Sequence, residues 1–113
     1  MLAKVNRIAK ADDYRAVVRR GRRVVSENTV SYVSMNPNGG PPRFGFIVAK
    51  TVGNAVVRNT VRRRLKAASF SALTRTTEGT DIVIRALPPA ADAPFASLVD
   101  DVERAITTKA RVR

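Results

Sequence analysis

The sequence of 113 residues contains no cysteine, no histidine and no tryptophan. Without imidazole or thiol groups, the chain has no histidine base, no thiolate nucleophile and none of the usual zinc ligands. Most hydrolase mechanisms that rely on protein side chains are therefore excluded. The lack of cysteine suits a cytoplasmic location. The apolar runs are also too short and too often interrupted for a membrane span or a signal peptide.

Acidic residues are scarce and unevenly placed. The chain has 21 Lys and Arg against nine Asp and Glu, and its net charge is +12. Residues 28–77 contain eight basic side chains and no acidic one. Such an excess predicts nucleic acid or another anionic surface as the partner. Because no carboxylate lies in this segment, where an anionic substrate would be held, we do not expect the chain to perform acid–base catalysis itself.

The length fits one domain spanning residues 1–113. Residues 12–20 are predicted to form a helix that Asp12 or Asp13 caps and Gly21 ends. Enrichment in β-branched residues predicts a strand over 24–35. A loop rich in Pro and Gly follows, and clean alternation predicts a second strand over 43–50, with Phe44 and Phe46 on one face and Gly45 on the other. We expect these two strands to pair as a hairpin.

The second half of the chain predicts two helices and one strand. After a turn at 52–54, apolar residues at helical spacing from Val57 to Ala72 predict a helix, and the apolar run 81–87 predicts a buried strand next to the first two. A last helix is expected from Pro94 or Phe95, and the tail from about 107 is expected to be frayed. The fold class is therefore α+β in the order α-β-β-α-β-α, with a small sheet of three to four strands packed against helices.

The stretch from Lys50 to Ala67 is the most basic part of the chain. Its apolar residues would occupy one side of the predicted helix, since successive residues are about 100° apart around the axis. The adjoining flank would carry a stripe of polar and basic residues: Arg58, Asn59, Arg62 and Lys66, with Arg63 just beyond. Solvated helix faces normally alternate Glu with Lys or Arg, whereas this stripe repels itself. A polyanion would relieve that repulsion, with binding that weakens steeply as salt rises.

Other interpretations of this stretch are less well supported. A solvated surface remains open, because charge runs are often no more than that. Gly53 is not followed by the Gly-Lys-Ser/Thr ending of a phosphate-binding loop. A membrane-surface helix would be expected to carry aromatic anchors, and none occurs before Phe70. A helix-turn-helix reader of DNA would need a second short helix just before this one, where a strand is predicted instead.

The motif in this stretch resembles the signature of the bacterial ribonuclease P protein subunit. Its residues are Lys50, the run Val52-Gly53-Asn54-Ala55-Val56, the pair Arg58-Asn59 and the pair Arg62-Arg63. The similarity covers roughly residues 6–106. Further counterparts are Asn6-Arg7, Asp13-Tyr14, Gly21, Tyr32 and residues 81–87.

The resemblance implies a protein that does not cut RNA itself. In this family the partner is a catalytic RNA, which uses Mg²⁺ to hydrolyse precursor tRNA at the start of the mature 5′ end. The protein binds that RNA and contacts the single-stranded 5′ leader of the precursor. We accordingly expect ribonuclease P RNA and the leader as partners, no cofactor bound by the protein, and no protein oligomer apart from the RNA. The family fold also has a left-handed β-α-β crossover, which no pattern in the sequence indicates.

Site residues follow from the resemblance at the matching positions. The catalytic RNA is expected to contact Lys50, Asn54, Arg58, Asn59, Arg62, Arg63 and Lys66. The leader is expected in a cleft that contains Tyr14, Val18 and Tyr32, where a tyrosine ring can stack on any base.

Four positions depart from the family pattern. Thr51 and Thr60 replace basic residues, and Arg64 is expected to compensate for these lost phosphate donors. Ala49 replaces a common serine. Val18 replaces a frequent aromatic residue, so it would contribute shape alone to the leader cleft.

An alternative hypothesis is a structural RNA-binding protein of the ribosomal type, which would have no substrate role. The two hypotheses differ at the tyrosines. A leader cleft requires Tyr14 and Tyr32 to line one exposed surface, whereas a structural protein permits both to be buried.

Overall fold

The computed structural model describes residues 2–112. Three α-helices and five strands follow one another along the chain, with short 3₁₀ turns between some of them. The strands are β1 (Arg22–Val25), β2 (Thr29–Met35), β3 (Arg43–Ile47), β4 (Thr80–Ala86) and β5 (Arg111–Val112). The helices are α1 (Ala11–Arg20), α2 (Ala55–Ala72) and α3 (Phe95–Thr107). The α+β fold class is confirmed, and α2 and α3 begin where the sequence predicts.

The sheet has the strand order β1-β2-β4-β3, and β5 pairs with the end of β2. The predicted hairpin of β2 with β3 is wrong, because β4 lies between them, antiparallel to β2 and parallel to β3. The burial of β4 explains this order. Six of its seven residues are buried, and a strand that is apolar on both faces gains most in the middle of a sheet. The connection β3–α2–β4 joins adjacent parallel strands. That this crossover is left-handed stays a prediction.

The prediction of a single strand over 24–35 is also wrong, because this segment contains the end of β1 and all of β2, joined by a tight turn. The turn is closed by a hydrogen bond from the Ser26 N–H to the Thr29 carbonyl at 2.9 Å. Asp101, a buried residue of α3, accepts hydrogen bonds from the Asn28 N–H at 3.0 Å and the Thr29 hydroxyl at 3.1 Å. The polar triplet at 26–28 was the signal for this turn.

Helix α1 starts differently from its prediction, whereas its end at Gly21 is confirmed. Lys10 occupies the N-cap position without a side-chain hydrogen bond, and Asp12 and Asp13 lie in the first turn. Their negative charge still suits the positive end of the helix dipole. Gly21 ends the helix with an ordinary φ of −74°. Glycine is required at this position because there is no room for a side chain. A Cβ there would lie 2.5 Å from the Val17 carbonyl oxygen.

The sheet carries a core on each face. Helices α2 and α3 cover the larger one, which includes Phe44, Ile82, Ile84, Leu65 and Leu98. Helix α1 covers the smaller one, which includes Ile8, Val17, Val30, Tyr32 and Val83. The predicted alternation of β3 is confirmed: Phe44 and Phe46 face α2, whereas Ile47 faces α1.

An ion pair links the start of β3 to the start of β4. Arg43 donates two hydrogen bonds to the buried carboxylate of Asp81, at 2.9 and 2.7 Å, and one to Asp13 of α1 at 3.4 Å. The hydrogen bonds to Asp81 raise the pKa of Arg43 above its ordinary value. Arg43 therefore joins β3 to β4 through Asp81 and contacts α1 through Asp13.

That the tail from about 107 is frayed stays a prediction. The Lys109 carbonyl accepts a hydrogen bond from the Arg22 side chain at 2.8 Å, and β5 follows. Within residues 2–112, no helix has the length and apolar character needed to cross a membrane.

Candidate nucleic-acid interface

The segment between β3 and α2 positions the first predicted RNA contacts. Lys50–Val52 form one 3₁₀ turn, and Lys50 is exposed. Asn54 is the N-cap of α2, and its side-chain oxygen accepts the Val57 N–H at 3.0 Å. Asn54 therefore has a structural role in addition to any contact with RNA, and its exposed amide group can still donate. The first turn of α2 contains no acidic residue, so the positive end of the helix dipole is not neutralised there.

The basic stripe runs along α2 beside its buried side, as the helical spacing predicts. Val61, Leu65, Ala68 and Ala72 are buried. Asn59 and Arg63 are exposed, and the other three members of the stripe are partly exposed. We define the α2 stripe as Arg58, Asn59, Arg62, Arg63 and Lys66.

The α2 stripe is poor in internal partners. Arg62 donates to the Asn59 side-chain oxygen at 3.1 Å. The Arg58 Nε is buried and has no hydrogen-bond partner in the described part of the chain. Across residues 2–112, none of the ion pairs involves a stripe residue. These cations are therefore available to an external anion.

Arg64 does not join the stripe. Its guanidinium donates to the Ala93 carbonyl at 2.8 Å, and its position on the helix is about 160° from that of Lys66 on the side away from Arg62. That Arg64 compensates for Thr51 and Thr60 on the same helix stays a prediction. Thr60 donates its hydroxyl to the Val56 carbonyl at 3.0 Å, which satisfies it within the helix.

A shallow groove lies on the other face of the sheet, between α1 and β3. Tyr14, Val18 and Ile47 supply its apolar lining, Arg15 and Arg19 border it, and its volume is about 340 Å³. We name it the α1–β3 groove. The Tyr14 ring lies against Gly45, where a Cβ would be 2.6 Å from a ring carbon. The absence of a side chain at 45 therefore lets the ring pack flat against β3.

Tyr32 does not belong to the exposed groove. Its side chain is only 7% exposed, and the Arg85 guanidinium lies 5.8 Å from the centre of its ring. The expectation that Tyr14 and Tyr32 line one exposed cleft is therefore wrong for Tyr32. The resemblance placed Tyr32 in the leader cleft, but it could not show how completely α1 covers that position.

The sequence prediction missed three residues that line the groove: Arg15, Arg19 and Ile47. The sequence contained patterns that could have identified all three. Arg15 and Arg19 are four residues apart and therefore share one face of α1, next to Tyr14 and Val18. Ile47 alternates with Phe44 and Phe46 and so had to face the opposite side of the sheet.

No group of three or more Asp, Glu, His or Cys side chains that could hold a metal ion occurs within residues 2–112. No step below depends on a metal held by the protein.

Comparison with known proteins identifies the family. The family model described as Ribonuclease P matches residues 2–110. The chain belongs to the ribonuclease P protein family. The ribonuclease P protein component of Clavibacter michiganensis is 46% identical over 98% of both chains. That of Beutenbergia cavernae is 43% identical over 96% of this chain and 91% of its own length.

Solved structures support the same assignment. A Staphylococcus aureus RNase P protein, described as a mutant with defective mRNA degradation activity, is 26% identical. It superposes with a TM-score of 0.81 over 90% of this chain and 86% of its own. The RNase P protein of Thermotoga maritima is 18% identical, with a TM-score of 0.76 over 88% of this chain and 94% of its own, and it shows the shared fold alone.

Proposed function

We propose that this chain is the protein subunit of a cytoplasmic ribonuclease P, which removes the 5′ leader from precursor tRNA. The observation that carries the proposal is the match to the family along residues 2–110, which includes the motif from Lys50 to Arg63. The alternative of a ribosomal-type protein has no comparable support. The burial of Tyr32 was the outcome that this alternative permitted, but Tyr14 remains partly exposed in a groove.

The catalytic RNA is proposed to bind along Lys50, Asn54 and the α2 stripe. The guanidinium groups of the stripe are planar forks that suit phosphate oxygens, and they lack carboxylate partners among the described residues. The positive end of the α2 dipole, which no acidic residue in the first turn neutralises, adds to the attraction. Together these groups would hold an RNA backbone without reading its sequence.

The leader of the precursor is proposed to lie in the α1–β3 groove. The Tyr14 ring offers a stacking surface, Val18 and Ile47 extend it, and Arg15 and Arg19 border it with positive charge. Such a combination of stacking and charge binds single strands with little sequence preference. Ile47 of the groove and Lys50 are three residues apart at the end of edge strand β3, so one RNA complex could contact both surfaces.

The protein's contribution is proposed to be binding and orientation. The hydrolysis, with the Mg²⁺ that it requires, is assigned to the RNA partner. By holding the leader next to the surface that binds the catalytic RNA, the protein would raise the affinity for precursor over mature tRNA. No second protein chain is needed for this arrangement.

Competition binding tests the proposed partner. The protein, titrated into labelled ribonuclease P RNA of the same organism, should be displaced by unlabelled ribonuclease P RNA at a lower concentration than by 16S or 23S ribosomal RNA. Equal displacement by all three RNAs would favour a general RNA-binding protein and would overturn the proposal.

A further inference from the structure

A second surface on α2 adjoins the stripe at Arg63, where α2 meets the start of α3. Arg63, Arg64, Ala67 and Phe95 line a shallow groove there, with a volume of about 260 Å³. We name it the Phe95 groove. Phe95 is the first residue of α3 and is 42% exposed. A large aromatic side chain at this exposure contributes little to the core and leaves one part of its ring available.

The two arginines of the Phe95 groove are held differently. Arg64 is partly buried and its guanidinium is tied to the Ala93 carbonyl, which fixes it beside the groove. Arg63 is exposed and has no ion pair or hydrogen bond within residues 2–112. The carboxylates closest to Phe95 in sequence are Asp92 and Asp100, which are exposed and pair with neither arginine in the described chain.

We propose that the Phe95 groove binds an unpaired base of the RNA partner, with the base stacked on the Phe95 ring and the adjacent phosphate on Arg63. Aromatic rings next to arginines are the elements with which proteins hold unpaired bases. The proposal rests on the proposed function and extends it, because it gives the same RNA a stacking contact at Phe95, a residue outside both the α2 stripe and the α1–β3 groove.

Charge favours RNA over a second copy of the chain as the occupant. Two copies would bring together surfaces of a protein with net charge +12, which repel each other. A polyanion instead neutralises Arg63 while its base covers the apolar part of the ring. A single nucleotide would then neutralise the charge of Arg63 and cover the exposed part of the Phe95 ring.

The test is a set of Phe95 variants, with Kd for ribonuclease P RNA measured at several salt concentrations. Phe95→Leu keeps an apolar side chain but removes the aromatic ring, whereas Phe95→Tyr keeps the ring. Stacking predicts that Phe95→Leu raises Kd at least about fivefold, whereas Phe95→Tyr keeps the wild-type Kd. Neither variant should change the slope of log K against log salt. Arg63→Ala should instead lower that slope by about one unit.

Phe70→Leu is the matched control. Phe70 is also an exposed phenylalanine, with 49% of its surface accessible. It belongs to α2 and lies outside the Phe95 groove. Its substitution should leave Kd unchanged, and thermal melting should show that all variants are folded. Equal Kd values for wild type and Phe95→Leu would overturn the inference. So would a Phe95-dependent dimer in ultracentrifugation combined with unchanged RNA binding, because the groove would then be a contact between copies.

Failure of the inference can be told apart from failure of the proposed function. If the wild-type protein shows no preference for ribonuclease P RNA, the proposed function fails together with the inference. If the wild type prefers that RNA and the Phe95→Leu variant binds it equally well, only the Phe95 groove is wrong.

Discussion

The hydroxyl oxygen of Tyr14 accepts a hydrogen bond from the backbone N–H of Phe46 at 3.1 Å. Phe46 lies on β3, an edge strand, so the bond satisfies a backbone donor while it holds the Tyr14 ring across the strand. The ring is thereby fixed at the wall of the α1–β3 groove, and its orientation depends on the space above Gly45.

Gly45→Ala is expected to displace the Tyr14 ring and break this hydrogen bond. The added methyl group would lie 2.6 Å from a ring carbon, and overpacking of this kind typically costs about 1–3 kcal/mol. Urea unfolding would measure the loss. In a Tyr14→Leu background the same substitution should cost less, because the ring that it strikes is gone; equal costs in both backgrounds would contradict the described packing.

Val18→Phe is expected to improve leader binding. Val18 is partly exposed in the α1–β3 groove, and an aromatic ring there adds a stacking surface worth about 1 kcal/mol or more per base. With the ribonuclease P RNA–protein complex, Kd for precursor tRNA should fall about fivefold or more, while Kd for mature tRNA stays the same. Val25→Phe, at an exposed position of β1, is the control. If Kd fell equally for precursor and mature tRNA, the leader would not be the part of the RNA that contacts position 18.

Asn54 is expected to have two separable roles. Asn54→Ala removes the N-cap of α2 and should reduce the free energy of unfolding by about 1 kcal/mol. Asn54→Ser keeps a cap and should preserve stability, but it removes the amide group that is proposed to contact RNA. Thermal melts and RNA titrations on both variants separate the roles. If Asn54→Ser binds RNA as tightly as wild type, Asn54 is a cap alone.

The α2 stripe is expected to account for much of the salt dependence of RNA binding. Replacing Arg58, Arg62 and Arg63 with Ala should lower the slope of log K against log salt by up to about one unit for each lost phosphate contact. The control removes three positive charges elsewhere, as Arg75, Arg104 and Lys109 to Ala. Should both triple variants lower the slope equally, net charge would explain binding and the stripe would have no special role.

The helices and their faces were largely predictable from the sequence because their signals are local. The spacing of Val57, Val61 and Leu65 set the buried side of α2, and the arginines then had to lie on its flank. Asn54 was assigned only to RNA contact, although its position before an apolar-periodic segment also marks an N-cap.

The strand pairing was not predictable in this way, because it depends on contacts between distant residues. Alternation placed Phe44 and Ile47 on opposite faces of β3, but it could not show that β4 would separate β3 from β2. The partial burial of Tyr14 and the burial of Tyr32 likewise depend on how α1 covers the sheet. The Phe95 groove brings together two helices whose residues are some thirty positions apart, and no local pattern relates them.

The most direct test is cleavage of precursor tRNA by ribonuclease P RNA of the same organism at low magnesium concentration, with and without this protein. The proposed function predicts that the protein restores or sharply accelerates release of the 5′ leader, and that the triple substitution in the α2 stripe weakens this effect. If the wild-type protein binds the RNA tightly but leaves the cleavage rate unchanged, its proposed role as the subunit that assists leader removal is contradicted.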